Sequence, residues 1–214
     1  EINRLVLEIA FRHGVRKIVK SKSMVSEESA LDLAIEGAGL EVVETDLGEY
    51  ILQINGYEPP SHIVGPALHK SKEEVTELFH RRHGTPRKDG IEDLCREARA
   101  VLREHYLTAD MGISGGNFFV AETGSVLLVT NEGNASLATT LPKVHVAISG
   151  IEKIVPTLED AATLMRLLPR SATGQSISNY VDVLTGTRGE GEFHGVDHMY
   201  FILVDSGRTE VLGS

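Results

Sequence analysis

The chain has 214 residues, of which 41% are apolar, and its 21 basic and 31 acidic residues give a formal net charge of −10. This length and composition predict one sizeable globular core, and the acidic balance argues against nucleic acid or an anionic membrane surface as the main partner. No apolar run approaches the ~20 residues that a transmembrane segment needs, and no signal-peptide pattern is present, so we expect a cytoplasmic protein.

The first part of the chain alternates helix and strand patterns. Apolar spacing predicts an amphipathic helix over residues 1–13, a strand over Lys17–Lys20, a helix from an N-cap at Ser26 to Gly37, and a strand over Leu40–Val43. A β-α-β unit of this kind favours a parallel sheet with helices on its faces, and therefore the α/β class. Tyr50–Ile54 fits either a strand or a helix.

The next segment contains one clear helix start and the only cysteine. Ser61–Val64 reads as a strand, and Ser71-x-x-Glu74 is a capping box that opens a helix through Arg82. Residues 84–90 predict an exposed connection, followed by a long helix to Tyr106. Cys95 falls on the apolar face of that helix, which predicts a buried and inert thiol. A single cysteine excludes an internal disulfide, and also any iron-sulfur cluster that this chain alone would ligate.

Three apolar runs separated by polar, glycine-rich loops follow, and we expect them to be buried strands: Phe118–Ala121, Ser125–Thr130 and Val144–Ile148. Pro156-Thr157-x-x-Asp160 then begins a helix that Pro169 is expected to end. Two final strands are predicted over Ile177–Leu184 and Met199–Asp205, with a long glycine-rich loop between them.

Glu122 is the strongest candidate for a catalytic group, because it lies in a turn with Thr123, Gly124 and Ser125 between two apolar strands. Desolvating a carboxylate is costly, so Glu122 either accepts hydrogen bonds from the amides of Gly124 and Ser125 or acts as a base or nucleophile. The sequence leaves both readings open.

Three loops are candidates for binding a small anionic ligand. Lys20, Ser21, Lys22 and Ser23 lie between a strand end and a helix start, where open α/β sheets bind ligands; the alternative is that the two lysines are simply solvated. The other two loops carry glycines, whose backbone can approach a ligand closely. They comprise Gly115, Gly116 and Asn117, and Asn131, Glu132, Gly133 and Asn134. None of the loops matches a nucleotide-binding pattern.

The histidines predict no metal site. His80 and His83 share a helix end, and His194 and His198 flank Asp197 in a loop, but neither group has an identifiable further ligand.

Several longer segments resemble a known family. They are IVKSKSMVSEE (Ile18–Glu28), VVETDLGEYILQ (Val42–Gln53), PPSHIVGPALHKSKEEVTELF (Pro59–Phe79), VAETGSVLLVTNEGN (Val120–Asn134), TLPKVHVAISGIEKIVPTLEDA (Thr140–Ala161) and RSATGQ (Arg170–Gln175). Together they are similar to the lactate-utilisation protein B family, and more narrowly to its amino-terminal LUD domain.

That resemblance implies a three-layer α/β sandwich with a mostly parallel sheet, similar to the NagB/RpiA/CoA-transferase-like fold. It also implies one LUD-type domain over residues 1–214, cut from an iron-sulfur subunit of a bacterial complex that oxidises L-lactate to pyruvate. The expected partners are the other subunits of that complex. The 4Fe-4S clusters of the family belong to a ferredoxin-like region after the segment resembling Val204–Leu212, so no cofactor is expected here.

The wider fold group implies two alternative functions. CoA transferases in that group use a glutamate in a Glu-Asn-Gly turn as nucleophile, and the turn Glu122-Thr123-Gly124 is similar except for its middle residue. The chain could accordingly be an acyl or CoA transferase, or a non-catalytic module that docks electron-transfer subunits.

Overall fold

The computed structural model describes residues 1–62, 65–178 and 180–213, and its central element is a parallel sheet. The strands of this sheet stand in the order β2-β1-β3-β6-β9, and every neighbouring pair is parallel. Their bounds are β1 Lys17–Lys20, β2 Glu41–Glu44, β3 Met111–Ser114, β6 Val144–Gly150 and β9 His198–Val204.

Helices cover both faces of this sheet. The helices of the molecule are α1 Ile2–Arg12, α2 Met24–Glu28, α3 Leu31–Gly37, α4 Leu47–Ile54, α5 Lys72–His83, α6 Ile91–Thr108, α7 Asn134–Thr140, α8 Leu158–Thr173 and α9 Arg208–Leu212, of which α8 packs against a second sheet and not against this one. Successive strand residues point to opposite faces, so Ile18 packs in the core under α1 and α3, whereas Val19 packs in the core under α4 and α6. The predicted three-layer α/β arrangement is confirmed.

A second, smaller sheet was not predicted. It consists of β7 Ile154–Val155, β4 Phe118–Val120, β5 Ser125–Thr130 and β8 Tyr180–Leu184, in that order. Its pairs β4–β5 and β5–β8 are antiparallel, and a 3₁₀ turn over Ile151–Lys153 leads from β6 into β7. The two sheets meet at a small apolar cluster in which Phe119 contacts Ala147 of β6.

Strand β3, the middle strand of the main sheet, was missed because Gly112 interrupts its apolar pattern. The glycine has a packing reason: a Cβ at this position would lie 1.7 Å from the carbonyl oxygen of Ala138. The backbone of α7 therefore rests directly on β3, which fixes the loop that precedes α7.

Several predicted boundaries were wrong. Ser23, not Ser26, is the N-cap of the helix after β1, and that helix is divided because Ala30 adopts a left-handed φ of 49°. Pro169 lies inside α8, whose last turn is held by bonds from Thr173 Oγ1 and the Gln175 amide to the Pro169 carbonyl. The prediction that Cys95 is buried was also wrong. Cys95 is exposed, because α6 buries Leu94 and Ala98 and points Cys95 away from the core.

The remaining secondary-structure predictions concern one ambiguous segment, one capping box and three strands. Tyr50–Ile54 is helical and belongs to α4, and the capping box of Ser71 and Glu74 is formed. The proposed strand Ser61–Val64 falls partly on residues 63 and 64, outside the described residues. The final strands begin at Tyr180 and His198. No helix within the described ranges is long and apolar enough to cross a membrane.

Candidate functional site

The main sheet has a topological switch point between β1 and β3. The chain leaves β1 toward β2 on one side, whereas from β3 it continues toward β6 and β9 on the other side. The loops that follow β1 and β3 therefore diverge, which opens a crevice at the carboxyl ends of these strands. Ligands of open α/β sheets characteristically bind in such a crevice.

A pocket of about 450 Å³ occupies this crevice, and we call it the switch-point pocket. It is lined by the segments that follow the three central strands and by the loop between β5 and α7. Its polar and glycine lining residues are Ser21, Lys22, Ser23, Asp46, Gly115, Gly116, Asn117, Thr130, Asn131, Glu132, Asn134, Ser149 and Lys153. Most of the predicted ligand-binding residues thus come together in one place.

The loop after β3 is held rigidly against the second sheet. The Asn117 amide donates to the Leu127 carbonyl, and Asn117 Oδ1 accepts a hydrogen bond from the Val129 amide at 2.9 Å. At Gly116 a Cβ would lie 2.4 Å from the Phe119 ring, so only glycine fits. Ser149 Oγ also donates to the Gly116 carbonyl at 2.9 Å. A loop fixed in this way presents its backbone to the pocket in one conformation.

The loop after β1 is tied down as well. The Ser21 amide donates to the carbonyl of Ile113 in β3 at 2.9 Å, and Ser23 Oγ accepts from the Ser26 amide at the start of α2. Both serines are buried. The side chain between them, Lys22, is more exposed and lies 3.9 Å from the Glu49 carboxylate.

The charges of the pocket are two lysines and two carboxyl groups. Lys153 is exposed and forms no ion pair with the residues that the structure describes. Partial burial raises the pKa of Glu132 to about 7, and the neighbouring Asp46 carboxylate contributes to this shift. Near neutral pH a substantial fraction of Glu132 is therefore protonated, and the pocket then carries more positive than negative charge.

Comparison with known proteins identifies the family of this chain. The model of the LUD domain family matches residues 2–204. The chain belongs to the LUD domain family. Proteins named lactate utilization protein B are 51% identical in Geobacillus kaustophilus, 50% in Shouchella clausii and 49% in Bacillus licheniformis, each over 214 residues. These matches cover 100% of this chain but only 45% of each relative, so the chain spans about half the length of the curated relatives.

A solved structure also matches the LUD domain. It is the crystal structure of a DUF162 family protein from Deinococcus radiodurans, with 16% sequence identity and a TM-score of 0.39. The match covers 94% of this chain and 98% of that one.

Lys20, which was predicted as part of the anion site, lies outside the switch-point pocket of this LUD domain. Its side chain is 2% exposed and its ammonium group pairs with Glu44 at 2.5 Å and Asp32 at 3.0 Å. Burial lowers the pKa of Lys20, but the two carboxylates outweigh that effect and raise it. The charge of Lys20 is thus already compensated inside the protein.

Glu122 lies outside the pocket, in an exposed turn at the far end of β4. Its Oε1 accepts a hydrogen bond from the Leu158 amide at 2.7 Å, in the first turn of α8. The acceptor role that the sequence left open is real, but the donor is Leu158 and not Gly124 or Ser125. In the same turn, Ser125 Oγ donates to Thr185 Oγ1 and contacts Thr123 Oγ1.

Four polar residues of the pocket were not predicted from the sequence, namely Asp46, Thr130, Ser149 and Lys153. Each lies near the end of a strand or just after it, and that shared position is the signal that could have found them. Gly133 was predicted but stands just behind the pocket, where it precedes α7 with a φ of 75°.

Two of the histidines that were considered as metal ligands contact other side chains. His83 bonds to Tyr50 at 2.8 Å and to Glu97 at 2.7 Å, and His198 stacks on His13. Within the described part of the chain, no group of three or more potential ligands has the geometry to hold a metal ion.

Proposed function

We propose that this chain is the ligand-binding domain of a lactate utilization protein, and that its switch-point pocket binds a small carboxylate such as L-lactate or pyruvate. The observation that carries this proposal is the convergence of Lys22, Lys153 and the Gly115–Gly116 backbone at the switch point of the sheet. Relatives that span this chain completely are named lactate utilization protein B.

The chemistry of the pocket suits a 2-hydroxycarboxylate. The carboxylate group would bind between the ammonium groups of Lys22 and Lys153, and the hydroxyl group would bind to the amide side chains of Asn131 and Asn134. A pocket of about 450 Å³ is larger than lactate needs, which leaves room for water or a second group. Protonated Glu132 would donate a hydrogen bond to the ligand instead of repelling it.

We further propose that the longer proteins containing this domain are cytoplasmic iron-sulfur subunits of a complex that oxidises L-lactate to pyruvate. A 4Fe-4S cluster is usually held by four cysteine thiolates. This chain has only Cys95, so its own residues do not fit a cluster. The role we assign to the domain is to bind and orient the carboxylate, while cluster ligation belongs to other parts of the longer chain.

Isothermal titration of the 214-residue chain with L-lactate, pyruvate and inorganic phosphate tests the binding step. We expect saturable binding of at least one carboxylate, lost or weakened tenfold or more in Lys153→Ala and Lys22→Ala. Lys143→Ala is the matched control, because Lys143 is an exposed lysine that precedes β6, at the opposite end from Lys153.

A bound ligand should also raise the melting temperature. At 100 times its dissociation constant it stabilises the folded state by about 2.7 kcal/mol. Absence of binding and of a thermal shift for all these anions would contradict the proposal, as would equal losses in the Lys143→Ala control.

An exposed apolar surface favours a second candidate function, a docking module for partner subunits. On α8, Leu164 is 37% exposed and Leu167 is 57% exposed, and β8 at the sheet edge exposes Val181 and Val183. Such patches mark protein interfaces. Leu164→Asp with Leu167→Asp should then weaken binding to a purified partner subunit while carboxylate binding persists; unchanged affinity would exclude α8 from the interface.

A further inference from the structure

Strand β9, at one edge of the main sheet, differs from the other edge strands of the described chain. Edge strands display unpaired backbone N–H and C=O groups, and proteins usually protect them by charged side chains, by proline or by shortness. At the opposite edge β2 carries Glu41 and Glu44, and in the second sheet the edge strand β8 carries Asp182 whereas β7 has only two residues. β9 has seven residues, and none of them is an acid, a lysine, an arginine or a proline. Its edge therefore lacks these protections.

The backbone of β9 offers three residues for pairing on its outer side. The His198 amide donates to the Lys143 carbonyl at 3.1 Å, at the start of the parallel ladder with β6. Because successive residues of a strand direct their backbone groups to opposite sides, every second residue from His198 bonds to β6. The N–H and C=O groups of Met199, Phe201 and Leu203 therefore point outward. No residue that the structure describes forms a backbone hydrogen bond with them.

The exposed apolar side chains of β9 belong to the same residues. Phe201 is 41% exposed and Leu203 is 44% exposed. Both project from one face of the strand, on the side where the Phe201 ring contacts Phe119 with the ring centroids 5.4 Å apart. Apolar surface and unpaired backbone groups thus lie together along one edge of the sheet.

The sequence of β9 is complementary to itself in the antiparallel direction. When Phe201 lies opposite Phe201 of a second copy, Met199 lies opposite Leu203 of that copy, and Tyr200 lies opposite Ile202. These cross-strand pairs are apolar or aromatic, and none of them brings like charges together. In this register Met199, Phe201 and Leu203 all exchange N–H···O=C bonds with their counterparts.

We propose that the chain forms a two-fold symmetric homodimer in which β9 pairs antiparallel with β9 of a second copy. The two five-stranded main sheets then join into one continuous sheet. Such an interface uses the same residues on both sides, so assembly stops at two copies. Strand β8 does not offer this arrangement, because antiparallel pairing about Asp182 would place two carboxylates opposite each other.

The proposed dimer leaves each switch-point pocket complete within its own copy. The pocket lies at the carboxyl ends of the central strands, and antiparallel pairing of β9 directs these ends to opposite sides of the joined sheet. Self-association is therefore independent of the proposed carboxylate binding, and either proposal can fail without the other.

Sedimentation equilibrium of the 214-residue chain over a hundredfold range of concentration tests this inference. We expect a reversible dimer with twice the 23.3 kDa mass of one chain. Phe201→Lys and Leu203→Lys should each raise the dissociation constant at least tenfold, because they place an ammonium group on the pairing edge. Val181→Lys is the matched control, since Val181 is 40% exposed on the edge strand β8, and it should leave the dimer intact.

A mixture of two charge variants tests the register. Phe201→Lys and Phe201→Glu should each dissociate at least tenfold more readily than the wild type, because like charges then meet at the two-fold axis. An equal mixture of the two should form a heterodimer in which opposite charges meet. Two folded variants that do not form this heterodimer would contradict pairing about Phe201.

Melting curves verify that each variant is folded, and Leu203→Lys keeps the test available if loss of the contact between Phe201 and Phe119 prevents folding. The inference is overturned if the chain is monomeric at all concentrations or forms assemblies larger than two copies. It is also overturned if folded Phe201→Lys and Leu203→Lys associate like the wild type. Equal dissociation in Val181→Lys would place the interface at β8 and overturn it too.

Discussion

His145 shows how a single buried side chain stabilises the end of β3 next to the switch-point pocket. The Ser114 hydroxyl donates to the Gly115 carbonyl at 2.8 Å, so it must accept from His145 Nε2, also at 2.8 Å. The other ring nitrogen, Nδ1, is buried without a partner among the described residues. A proton on Nδ1 would have no acceptor, and burial lowers the pKa of His145 to about 4.

We therefore expect His145 to make stability depend on pH. The folded-state pKa is below the ordinary value of 6.5, so the unfolded chain binds the proton first as the pH falls. The stabilisation is fully present above pH 6.5 and is lost progressively toward pH 4; about 2 kcal/mol should disappear between pH 7.5 and pH 5. Urea unfolding of His145→Gln should lack this component, whereas the exposed His194→Gln control should keep it. Equal pH dependence in both variants would refute the assignment.

The buried ion pairs of Lys20 make a second prediction at this scale. Lys20→Met leaves Glu44 and Asp32 buried without their cation, and removal of one partner from such a group costs roughly 3–5 kcal/mol. Urea unfolding at pH 7.5 should show this loss, and it should be smaller at pH 5.5 because Glu44 can then take up a proton. Lys143→Met at an exposed position should change stability little. A loss in Lys20→Met no larger than in this control would contradict the role given to the buried pairs.

The elements of the fold that could be predicted are those with local signals. The capping box of Ser71 and Glu74 correctly predicted the start of α5, and the apolar stripe of α1 predicted the extent of that helix. Strand β3 and the break at Ala30 depend on contacts across the sheet and between helices, which sequence spacing does not contain. The candidate site was likewise predictable only in part. Its loops were predicted, but the burial of Lys20 depends on ion pairs with Glu44 and Asp32 that the sequence does not show. Lys153 was not predicted as a partner of Lys22, because the two residues are distant along the chain.

Gly112 couples one element to the site. Gly112→Ala would place a Cβ 1.7 Å from the Ala138 carbonyl oxygen, so α7 must move away from β3. Overpacking typically costs about 1–3 kcal/mol, and a clash with a backbone atom places Gly112→Ala at the upper end of that range. Because α7 carries the loop with Asn131 and Asn134, carboxylate binding should fall as well. Gly37→Ala, at the end of α3 with open space around it, should be neutral or stabilising by up to about 1 kcal/mol. Chemical unfolding of both variants measures these changes in the free energy of unfolding. A Gly112→Ala variant as stable as the wild type would contradict the close contact between α7 and β3.

The whole molecule is an acidic α/β domain in which the residues at the end of β1 and in the loop after it line two different cavities, one of them the switch-point pocket. Lys20 and Lys22 are separated by only Ser21, yet their side chains serve different sites: Lys20 neutralises buried carboxylates, and Lys22 faces the switch-point pocket. Strand alternation alone would place Lys20 and Lys22 on the same face, so the division arises because β1 ends at Lys20 and the backbone turns before Lys22. Because the whole chain carries a formal net charge of −10, the positive character of the pocket is a local property.

In the lactate-oxidising complex that we propose for the longer proteins, substitutions in the switch-point pocket and in the turn of Glu122 should have different effects on lactate oxidation. Lys153→Ala in the intact complex should lower the kcat/KM for L-lactate at least tenfold, because it removes a cation that binds the substrate carboxylate. Glu122→Gln should have little effect, since an amide oxygen can still accept from the Leu158 amide. L-lactate-dependent dye reduction by the assembled complex measures both variants, with Lys143→Ala as control. Loss of activity in Glu122→Gln with normal assembly, together with an unaffected Lys153→Ala, would move the chemistry from the switch-point pocket to the β4–β5 turn.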